Sequence, residues 1–408
     1  MKNLTYILVS LLAASVTVGV SAETLTLDEC LRIALDGNRQ VKAGLLSSEK
    51  AEILRGTSFD LDKTEVSLGQ ETGGGGPENG LTVSQDFEFP TVYVARRKAL
   101  NAEAALVRSN LREKRNEVRR DVTSSYCRAV YLRQYSSIRA AQDSLYREFA
   151  RIEDARYRNG EISRLDMINA RRTYEQNRME LEQSREAYQA ECRVLAGLLN
   201  TDMPLEPSLQ TPELDAGVGE PVLDFGSTPQ GETYTRRVEL GRRSLSLARQ
   251  ELMPGFSVSA VTQVFMKGFN PYHVDRERFK GDFLGFEVGV RIPLVFGSQK
   301  ARIRAAKLDV AIAETMREQA EADAKTDYQN SLNEYLRARR NLDYYTDHGM
   351  ADADEMERLS QVSYRLGEIS QSEHIRNMEA VMEMRLGHAD AVNQCNQSII
   401  KLNYLKGK

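Results

Sequence analysis

The sequence has 408 residues, of which 41% are hydrophobic, 28% charged and 7% aromatic, with no Trp. This composition is too apolar for a disordered chain and too polar for a bundle of membrane helices. The 55 Lys and Arg residues face 59 Asp and Glu residues, for a net charge of -4, so the chain lacks the basic excess of a nucleic-acid-binding protein and no nucleic acid is predicted as a partner.

The N-terminus has the features of a secretory signal peptide. Lys2 precedes an apolar stretch from Ile7 to Val20, and small side chains follow up to Ala22. We therefore expect export of the chain and removal of residues 1–22 by cleavage after Ala22. The apolar stretch is interrupted by hydroxyl side chains and falls short of the ~20 residues of a membrane span.

Two kinds of periodicity divide the rest of the chain into segments. Apolar residues recur every three or four positions in long stretches without Pro, which predicts helices, and four short segments alternate apolar with polar or small residues, which predicts strands. Five of the ten Pro residues lie between 204 and 231 and predict a linker there. The predicted segments are a helix over 26–59, strands over 64–71 and 81–90, helices over 94–199, the Pro-rich linker or equatorial segment over 204–231, a helix over 232–252, strands over 256–266 and 284–295, and helices over 298–405.

The two halves of the chain resemble each other. Residues 157–163 (YRNGEIS) recur as residues 364–370 (YRLGEIS), with six of seven positions identical at an offset of 207. The mature chain is therefore interpreted as a duplication, with a first repeat over 23–203 and a second over 232–408. The predicted fold is mainly α with a small β part, in which the unit strand, strand, helix, turn, helix occurs twice.

Four strands are too few to span a membrane alone. The smallest membrane β-barrels have about eight strands, and an open sheet edge in lipid leaves backbone groups unpaired. Two copies would supply eight strands and three copies twelve, and the sequence alone leaves both numbers open. The long helices carry too many charges to lie in lipid and are expected to project into the periplasm.

These features together resemble the TolC-like outer-membrane efflux protein family. The resemblance rests on the signal peptide, the duplicated unit, the segment Asp86-Phe-Glu-Phe-Pro90 that leads into an Arg- and Ala-rich helix, and the two Gly-containing turns. It implies a homotrimer, with a shared β-barrel of twelve strands among outer-membrane lipid and a long α-helical barrel in the periplasm. It also implies a role as the exit duct of a tripartite efflux system, with a periplasmic adaptor and an inner-membrane transporter as partners.

The resemblance also implies roles for residues at the two turns. A Gly that ends one long helix reverses the chain into an antiparallel partner, and in the family such hairpin tips face the adaptor. The implied docking residues are Gly160, Ile162 and Ser163 in the first turn, and Gly367, Ile369 and Ser370 in the second.

The implied pore and gate residues lie close to the same turns. Asp166 and Glu373, six residues after each Gly, would form a ring of carboxylates that favours cations, and Tyr157 and Tyr364 match an aromatic gate position. Ile369 stands where the family pattern has a gating Arg. Either Arg365 substitutes for it, or the entrance is closed by other contacts.

Other function classes have less support. No Gly-rich phosphate loop, G-x-S-x-G or H-E-x-x-H motif is present, so neither an enzyme nor a cofactor is predicted.

His and Met residues between 348 and 388 are interpreted as apolar residues of the helix core and not as a metal site. The four Cys residues are interpreted as small buried hydrophobic residues. The alternative function is a soluble periplasmic coiled-coil adaptor or scaffold. For the duct, the cargo stays open between drugs, metal ions and other small molecules.

Overall fold

The chain is described by a computed structural model over residues 23–73, 76–201, 205–208, 212, 214–215, 222–263, 284–292 and 296–408. The predicted signal peptide, parts of the Pro-rich linker and residues 264–266 and 293–295 of the predicted strands lie outside these residues. None of the helices in the described ranges combines the length and the hydropathy of a membrane-spanning helix.

Eight α-helices account for most of the described residues. They are α1 (Leu27–Gly37), α2 (Arg39–Leu54), α3 (Pro90–Arg158), α4 (Arg164–Leu199), α5 (Pro229–Gln250), α6 (Gly297–Tyr344), α7 (Met350–Leu366) and α8 (Gln371–Lys406). The fold is thus mainly α with a small β part, as the periodicity predicts. The helix α3 alone has 69 residues, which corresponds to roughly 100 Å at 1.5 Å per residue.

Six strands form two separate sheets in the described part of the chain. They are β1 (Glu23–Leu25), β2 (Glu65–Gly73), β3 (Gly76–Phe87), β4 (Leu205–Pro207), β5 (Gly255–Gln263) and β6 (Leu284–Arg291). The larger sheet is antiparallel in the order β2-β3-β5-β6, whereas β1 pairs with β4 in parallel.

The long helices stand side by side as four columns. The side-chain amide of Asn38, before α2, donates to the carbonyl of Leu198 at the end of α4 (3.2 Å), and Gly407 after α8 lies against Pro229 at the start of α5. The helices α4 and α2 therefore stack end to end, as do α8 and α5. Because α2 packs on α3, α3 on α5 and α5 on α6, the helical columns have the same lateral order as the strands of the large sheet.

The hydrophobic core lies where short elements cover the columns. Tyr126 of α3 is 2% exposed, and its hydroxyl donates to the carbonyl of Leu25 at 3.2 Å, beneath α1 and β1. A second core surrounds Tyr328 of α6, with Phe225 and Leu402. Each half of the chain thus has its own apolar core near mid-height.

A row of polar contacts joins α3 to α8. The side-chain amide of Asn116 donates to the carbonyl of Tyr404 (2.8 Å), the Ser124 hydroxyl donates to Gln397 (2.6 Å), and the Tyr131 hydroxyl donates to Asp390. These contacts hold the two repeats together, since α3 belongs to the first and α8 to the second.

Several segment boundaries differ from those predicted. The helix predicted over 26–59 ends as an α-helix at Leu54 and continues as a 3-10 helix over Arg55–Phe59. Its break at Asn38, whose side chain caps α2, is the one that the sequence Asp36-Gly37-Asn38 predicts. The strand predicted over 81–90 instead runs from Gly76 to Phe87, because Pro90 begins α3 with its fixed φ. For the same reason α5 begins at Pro229, inside the predicted linker, which also contains the strand β4.

The region predicted as helical over 298–405 contains one break that the sequence did not indicate. A single π-helical turn, Tyr345–Gly349, separates α6 from α7. Such turns insert one extra residue into an α-helix and need no Pro. Because the helical periodicity of the apolar residues persists across the turn, the sequence gives no signal of the break.

Candidate functional site

The large sheet has one apolar and one polar face. Val288 and Phe286 on β6 are 73% and 75% exposed, and Val258 on β5 and Val66 on β2 are exposed on the same side. The residues that share this face by register are Val66, Leu68, Leu81, Val83, Gln85, Phe87, Phe256, Val258, Ala260, Phe286, Val288 and Val290. A contiguous apolar sheet face is unusual on a soluble monomer and is typical of a contact with another protein or with a membrane.

The opposite face is polar and built from small side chains. Asp86 and Arg291 form an ion pair across it, with 2.7 Å between Oδ2 and Nη1. A Cβ placed on Gly289 would lie 2.4 Å from the hydroxyl of Ser257, so any side chain at this position on β6 would displace that hydroxyl. The face therefore combines paired charges with little steric bulk.

Both lateral ends of the sheet and of the helical layer are open in one chain. β2 and β6 each pair with a neighbour on one side only. The helices above the same ends carry exposed apolar side chains, namely Leu45, Leu46 and Ile53 on α2 and Leu308, Ile312 and Met316 on α6. The two long edges of the chain thus have both unpaired strand backbone and uncovered apolar surface.

The first hairpin tip joins α3 to α4 through Gly160. Its φ is +78°, and the Gly160 amide donates to the carbonyl of Tyr157 while the Glu161 amide donates to that of Arg156, both at 2.9 Å. This pair of bonds is a Schellman motif, which satisfies the last carbonyls of the helix. Glycine adopts the left-handed backbone conformation without steric cost. The predicted structural role of Gly160, to end the helix and reverse the chain, is therefore confirmed.

The second tip repeats this geometry at Gly367. Its φ is +75°, and the amides of Gly367 and Glu368 donate to the carbonyls of Tyr364 (3.1 Å) and Ser363 (2.9 Å). A Cβ built on either tip glycine meets no atom within 4 Å. The duplicated sequence therefore gives two tips with matching backbone geometry.

Asp166 and Glu373, the predicted ring carboxylates, take part in helix capping. Each is the third residue of its helix and forms a capping box with Ser163 or Ser370. The Asp166 carboxylate accepts from the Ser163 hydroxyl at 2.7 Å, and the Glu373 carboxylate accepts from the Ser370 amide at 2.8 Å. These local hydrogen bonds stabilise the helix starts and are a sufficient reason for an acidic residue at both positions. The ring of carboxylates stays a prediction.

The capping box of the second tip makes its stability depend on pH. Hydrogen bonds from the Ser370 backbone and then its side chain hold the pKa of Glu373 below its usual value. A pKa that is lower in the folded than in the unfolded chain stabilises the fold above the unfolded-state pKa, and this contribution is lost as the pH falls through the folded-state pKa. Acid is therefore expected to loosen this tip.

We expect the variant Ser370→Ala to exchange amide hydrogens faster over residues 366–378 at neutral pH. Loss of an N-cap Ser costs about 1 kcal/mol of helix stability. The difference from the wild type should narrow as the pH falls through the pKa of Glu373. Ser372→Ala, an exposed position in the same helical turn, is the control and should exchange like the wild type; equal exchange in all three proteins would contradict the role of the box.

The predicted docking and gate residues lie around these turns. Ser163 and Ser370 are exposed, whereas Ile162 and Ile369 are half-buried. Tyr157 and Tyr364 are 37% and 38% exposed. Arg365 donates from Nε to the carbonyl of Gln361 in its own helix at 3.2 Å, so in one chain it makes a local contact.

A polar cluster beside the second tip was not predicted from the sequence. The ring of His374 stacks on that of Tyr364, with centroids 4.7 Å apart and an interplanar angle of 5°, and its Nδ1 is 2.8 Å from the hydroxyl of the buried Ser360. The side-chain amide of Asn377 also donates to Ser360, at 3.3 Å. The repeat offset of 207 places Met167 opposite His374, and this difference between otherwise similar tips was the available signal.

The Cys and His residues do not form a metal-binding cluster in the described ranges. No group of three or more His, Cys, Asp or Glu residues is arranged there to hold a metal ion. Met378 and Met382 are buried in α8. The thiols are free, and burial raises the pKa of Cys30 to about 11 and that of Cys127 to about 12, which favours the thiol over the reactive thiolate.

Comparison with known proteins identifies a family over part of the chain. Residues 58–201 match the sequence model of the family described as outer membrane efflux protein. No curated protein matches the chain.

Solved structures match the whole architecture. The CmeC outer membrane channel of Campylobacter jejuni is 14% identical, with a TM-score of 0.76 over 93% of this chain and 85% of that one. A membrane protein from Pseudomonas aeruginosa is 15% identical, with a TM-score of 0.77 over 93% and 90%. The outer membrane protein VceC of Vibrio cholerae is 14% identical, with a TM-score of 0.74 over 93% and 96%. At such identities the likeness shows the fold.

The resemblance predicted from the sequence is therefore confirmed: this chain matches the outer membrane efflux protein family over residues 58–201 and has the fold of the TolC-like outer-membrane channels over at least 93% of its length.

Proposed function

We propose that three copies of this chain form an outer-membrane channel that is the passive exit duct of a tripartite efflux system. The observation that carries the proposal is the common lateral order of strands and helical columns, with both long edges open. One chain then forms only an arc of the channel wall. The ring closes only if the edge at β2 and α2 of one copy meets the edge at β6 and α6 of the next copy. This contact joins two different surfaces and closes into a ring.

The membrane-facing part would be a barrel shared by the copies. Three four-stranded sheets supply twelve strands, an even number within the range of outer-membrane barrels. The apolar face with Val288 would then contact lipid, and the polar face with Asp86 and Arg291 would line the lumen. The alternation of exposed apolar and polar residues on β6 supports this orientation.

The helical columns would continue the wall into the periplasm. Their tips at Gly160 and Gly367 would form the entrance, at the end opposite the sheet. A periplasmic adaptor that docks there, around Ile162, Ser163, Ile369 and Ser370, would connect the duct to an inner-membrane transporter, which supplies the energy. The cargo would be drugs, metal ions or other small molecules.

The oligomer and the channel can be tested together. The protein, extracted from the outer membrane in detergent, should have the mass of three chains by light scattering and should form ion channels in a planar bilayer. A water-soluble monomer would contradict the duct and favour the periplasmic scaffold instead.

We further expect the carboxylates at the entrance to make the channel prefer cations. The double variant Asp166→Asn and Glu373→Gln removes both charges but keeps an acceptor oxygen for each capping box. In a salt gradient its reversal potential should move toward that of a non-selective pore, because a ring of carboxylates in a narrow pore concentrates cations. The control is Glu175→Gln, which neutralises an exposed carboxylate on α4 away from the tip. An unchanged reversal potential in the double variant would contradict the ring of carboxylates.

A further inference from the structure

The two open strand edges of the sheet carry charged residues on the polar face. The register places four residues in one row across this face, namely Glu65, Ser84, Ser259 and Glu287. Glu65 on β2 and Glu287 on β6 are both exposed. Arg291, four residues after Glu287 on β6, is 51% exposed at the same edge. A contact between β6 of one copy and β2 of the next must therefore bring charged residues close together.

The two faces of the sheet limit how these edges can pair. A slip of one residue would turn the apolar side chains of one strand to the polar side of the other. Only every second register keeps Val66 on β2 and Val290 on β6 on the same side of the wall. Glu65 of the next copy then lies opposite a β6 residue of the polar face, and these residues are Gly285, Glu287, Gly289 and Arg291.

The charges favour one of these registers. With Glu65 of the next copy opposite Glu287, two carboxylates meet. With Glu65 opposite Gly289, Arg291 comes to lie opposite the exposed Lys63, two residues before Glu65. Like charges directly opposite each other destabilise a strand pair, whereas opposite charges stabilise it. Glu65 opposite Arg291 brings opposite charges together.

The lengths of the two strands favour the same register. With Glu65 of the next copy opposite Arg291, every residue of β6 (Leu284–Arg291) has a partner in β2 (Glu65–Gly73). The register with Glu65 opposite Gly285 would pair only the first two residues of β6. A strand pair gains one backbone contact after another along its length, so the register that leaves no part of β6 unpaired is preferred.

This register also gives the strand tilt that a closed barrel needs. Within one chain the row that starts at Glu65 ends at Glu287, whereas between copies Glu65 would meet Arg291, so each copy shifts the row by four residues. Three copies shift it by about twelve residues, which equals the number of strands. Barrels in which these two numbers are equal have strands tilted by about 36°, within the ~35–45° of outer-membrane barrels.

Arg291 has donors for a second carboxylate. Within its own chain its Nη1 lies 2.7 Å from Oδ2 of Asp86. A guanidinium carries five N–H donors in a planar fork, and the bond to Asp86 uses one of them. Arg291 can therefore pair with Asp86 of its own chain and with Glu65 of the next copy.

We propose that β6 of one copy pairs with β2 of the next with Arg291 opposite Glu65, and that Asp86, Arg291 and Glu65 of the next copy form a charged cluster that fixes this register on the luminal side. Three such clusters would close the barrel. The inference rests on the proposed function, because only a wall made of several copies has such a junction.

Disulfide formation between copies tests the register. In the proposed register Val66 and Val290 lie directly opposite each other on the apolar face, where Cβ atoms are close enough for a disulfide. Within one chain β3 and β5 separate these residues, so a disulfide between them joins two copies. The full-length variant with both Val66→Cys and Val290→Cys should give covalent dimers and trimers on non-reducing denaturing gels. Each single variant is the control for the native thiols and should give neither.

Two matched pairs test the neighbouring registers. Val66→Cys with Val288→Cys would be opposite if Glu65 met Gly289, and Leu68→Cys with Val290→Cys would be opposite if the strands were shifted by two residues in the other sense. In the proposed register both pairs are diagonal, with about 7–8 Å between their positions, and should stay monomeric on the same gels. A disulfide in either matched pair without one in the first pair would overturn the register.

Charge reversal tests the ion pair. Glu65→Arg places two guanidinium groups opposite each other and should lower the temperature at which the oligomer dissociates, and Glu65→Gln should lower it less. The control is Glu287→Arg, an exposed position on the same face, which should dissociate like the wild type. If Glu287→Arg instead raised the dissociation temperature, Glu287 would lie opposite Glu65, and the proposed register would be wrong.

The possible failures are separable. A wild-type protein that is monomeric in detergent would refute the proposed function. A wild-type trimer in which none of the three Cys pairs joins copies would overturn the pairing of β6 with β2 and leave the duct intact. A trimer whose dissociation temperature is unchanged by Glu65→Arg would remove the ion pair as the determinant of the register.

Discussion

The variant Val288→Arg is expected to abolish assembly of the protein in the outer membrane. Val288 is 73% exposed near the middle of β6, on the apolar face of the sheet. An Arg that faces lipid at the middle of a bilayer costs about 2–4 kcal/mol. In the proposed homotrimer each copy carries the substitution, so the cost would be repeated around the barrel.

Assembly can be followed by the amount of heat-sensitive oligomer in the outer-membrane fraction on denaturing gels. The matched control is Ser259→Arg, one strand away on the polar face, where the Cα partner of Ser259 is Glu287. An Arg there would enter the proposed polar lumen beside a carboxylate and should be tolerated. Equal assembly of the two variants would show that the apolar face does not meet lipid.

The variant Gly367→Trp is expected to abolish export while the protein still assembles. Gly367 has a φ of +75°, which costs a residue with a Cβ about 1–2 kcal/mol. No atom lies within 4 Å of a Cβ built there, so the indole would project from the tip without disturbing the hairpin. If an adaptor docks at this tip, the bulky ring blocks the contact.

Export is measured by the susceptibility of cells that depend on this channel to a panel of drugs and metal ions, and assembly by the oligomer on gels. Gly367→Asn is the control for backbone strain, since Asn tolerates the left-handed conformation and adds little volume. It should retain export. Normal export by assembled Gly367→Trp would count against docking at the second tip, and the same substitution at Gly160 would then test the first.

The sequence predicted the architecture because its two signals are local. The alternation of apolar and polar residues along β5 and β6 predicts strands with one apolar and one polar face. The recurrence of apolar residues every three or four positions along α3 predicts a helix with one buried side. The repeated turns around Gly160 and Gly367 report left-handed backbone, for which glycine is the common solution. Each of these features depends on neighbours within a few residues.

Other features depend on contacts between distant segments and were missed for that reason. The ring of Tyr345 in the π-helical turn lies against Gly387, more than forty positions away, and neither residue alone predicts the break. The stacking of Tyr364 on His374 likewise requires the hairpin to close first. Ser163 and Ser370 precede Asp166 and Glu373 by the three residues that are typical of a capping box, so the structural role of both acids follows from the local sequence.

The parallel pairing of β1 with β4 constrains the order in which the chain can fold. Leu25 accepts a hydrogen bond from the amide of Ser208 at 3.0 Å, so these partners are separated by the whole first hairpin. Closing so long a loop has an entropic cost that local contacts within α3 and α4 do not have. A chain delivered from its N-terminus would therefore place its earliest residues late, after the hairpin has formed, and until then the backbone of Glu23–Leu25 remains accessible to holdase chaperones and to proteases.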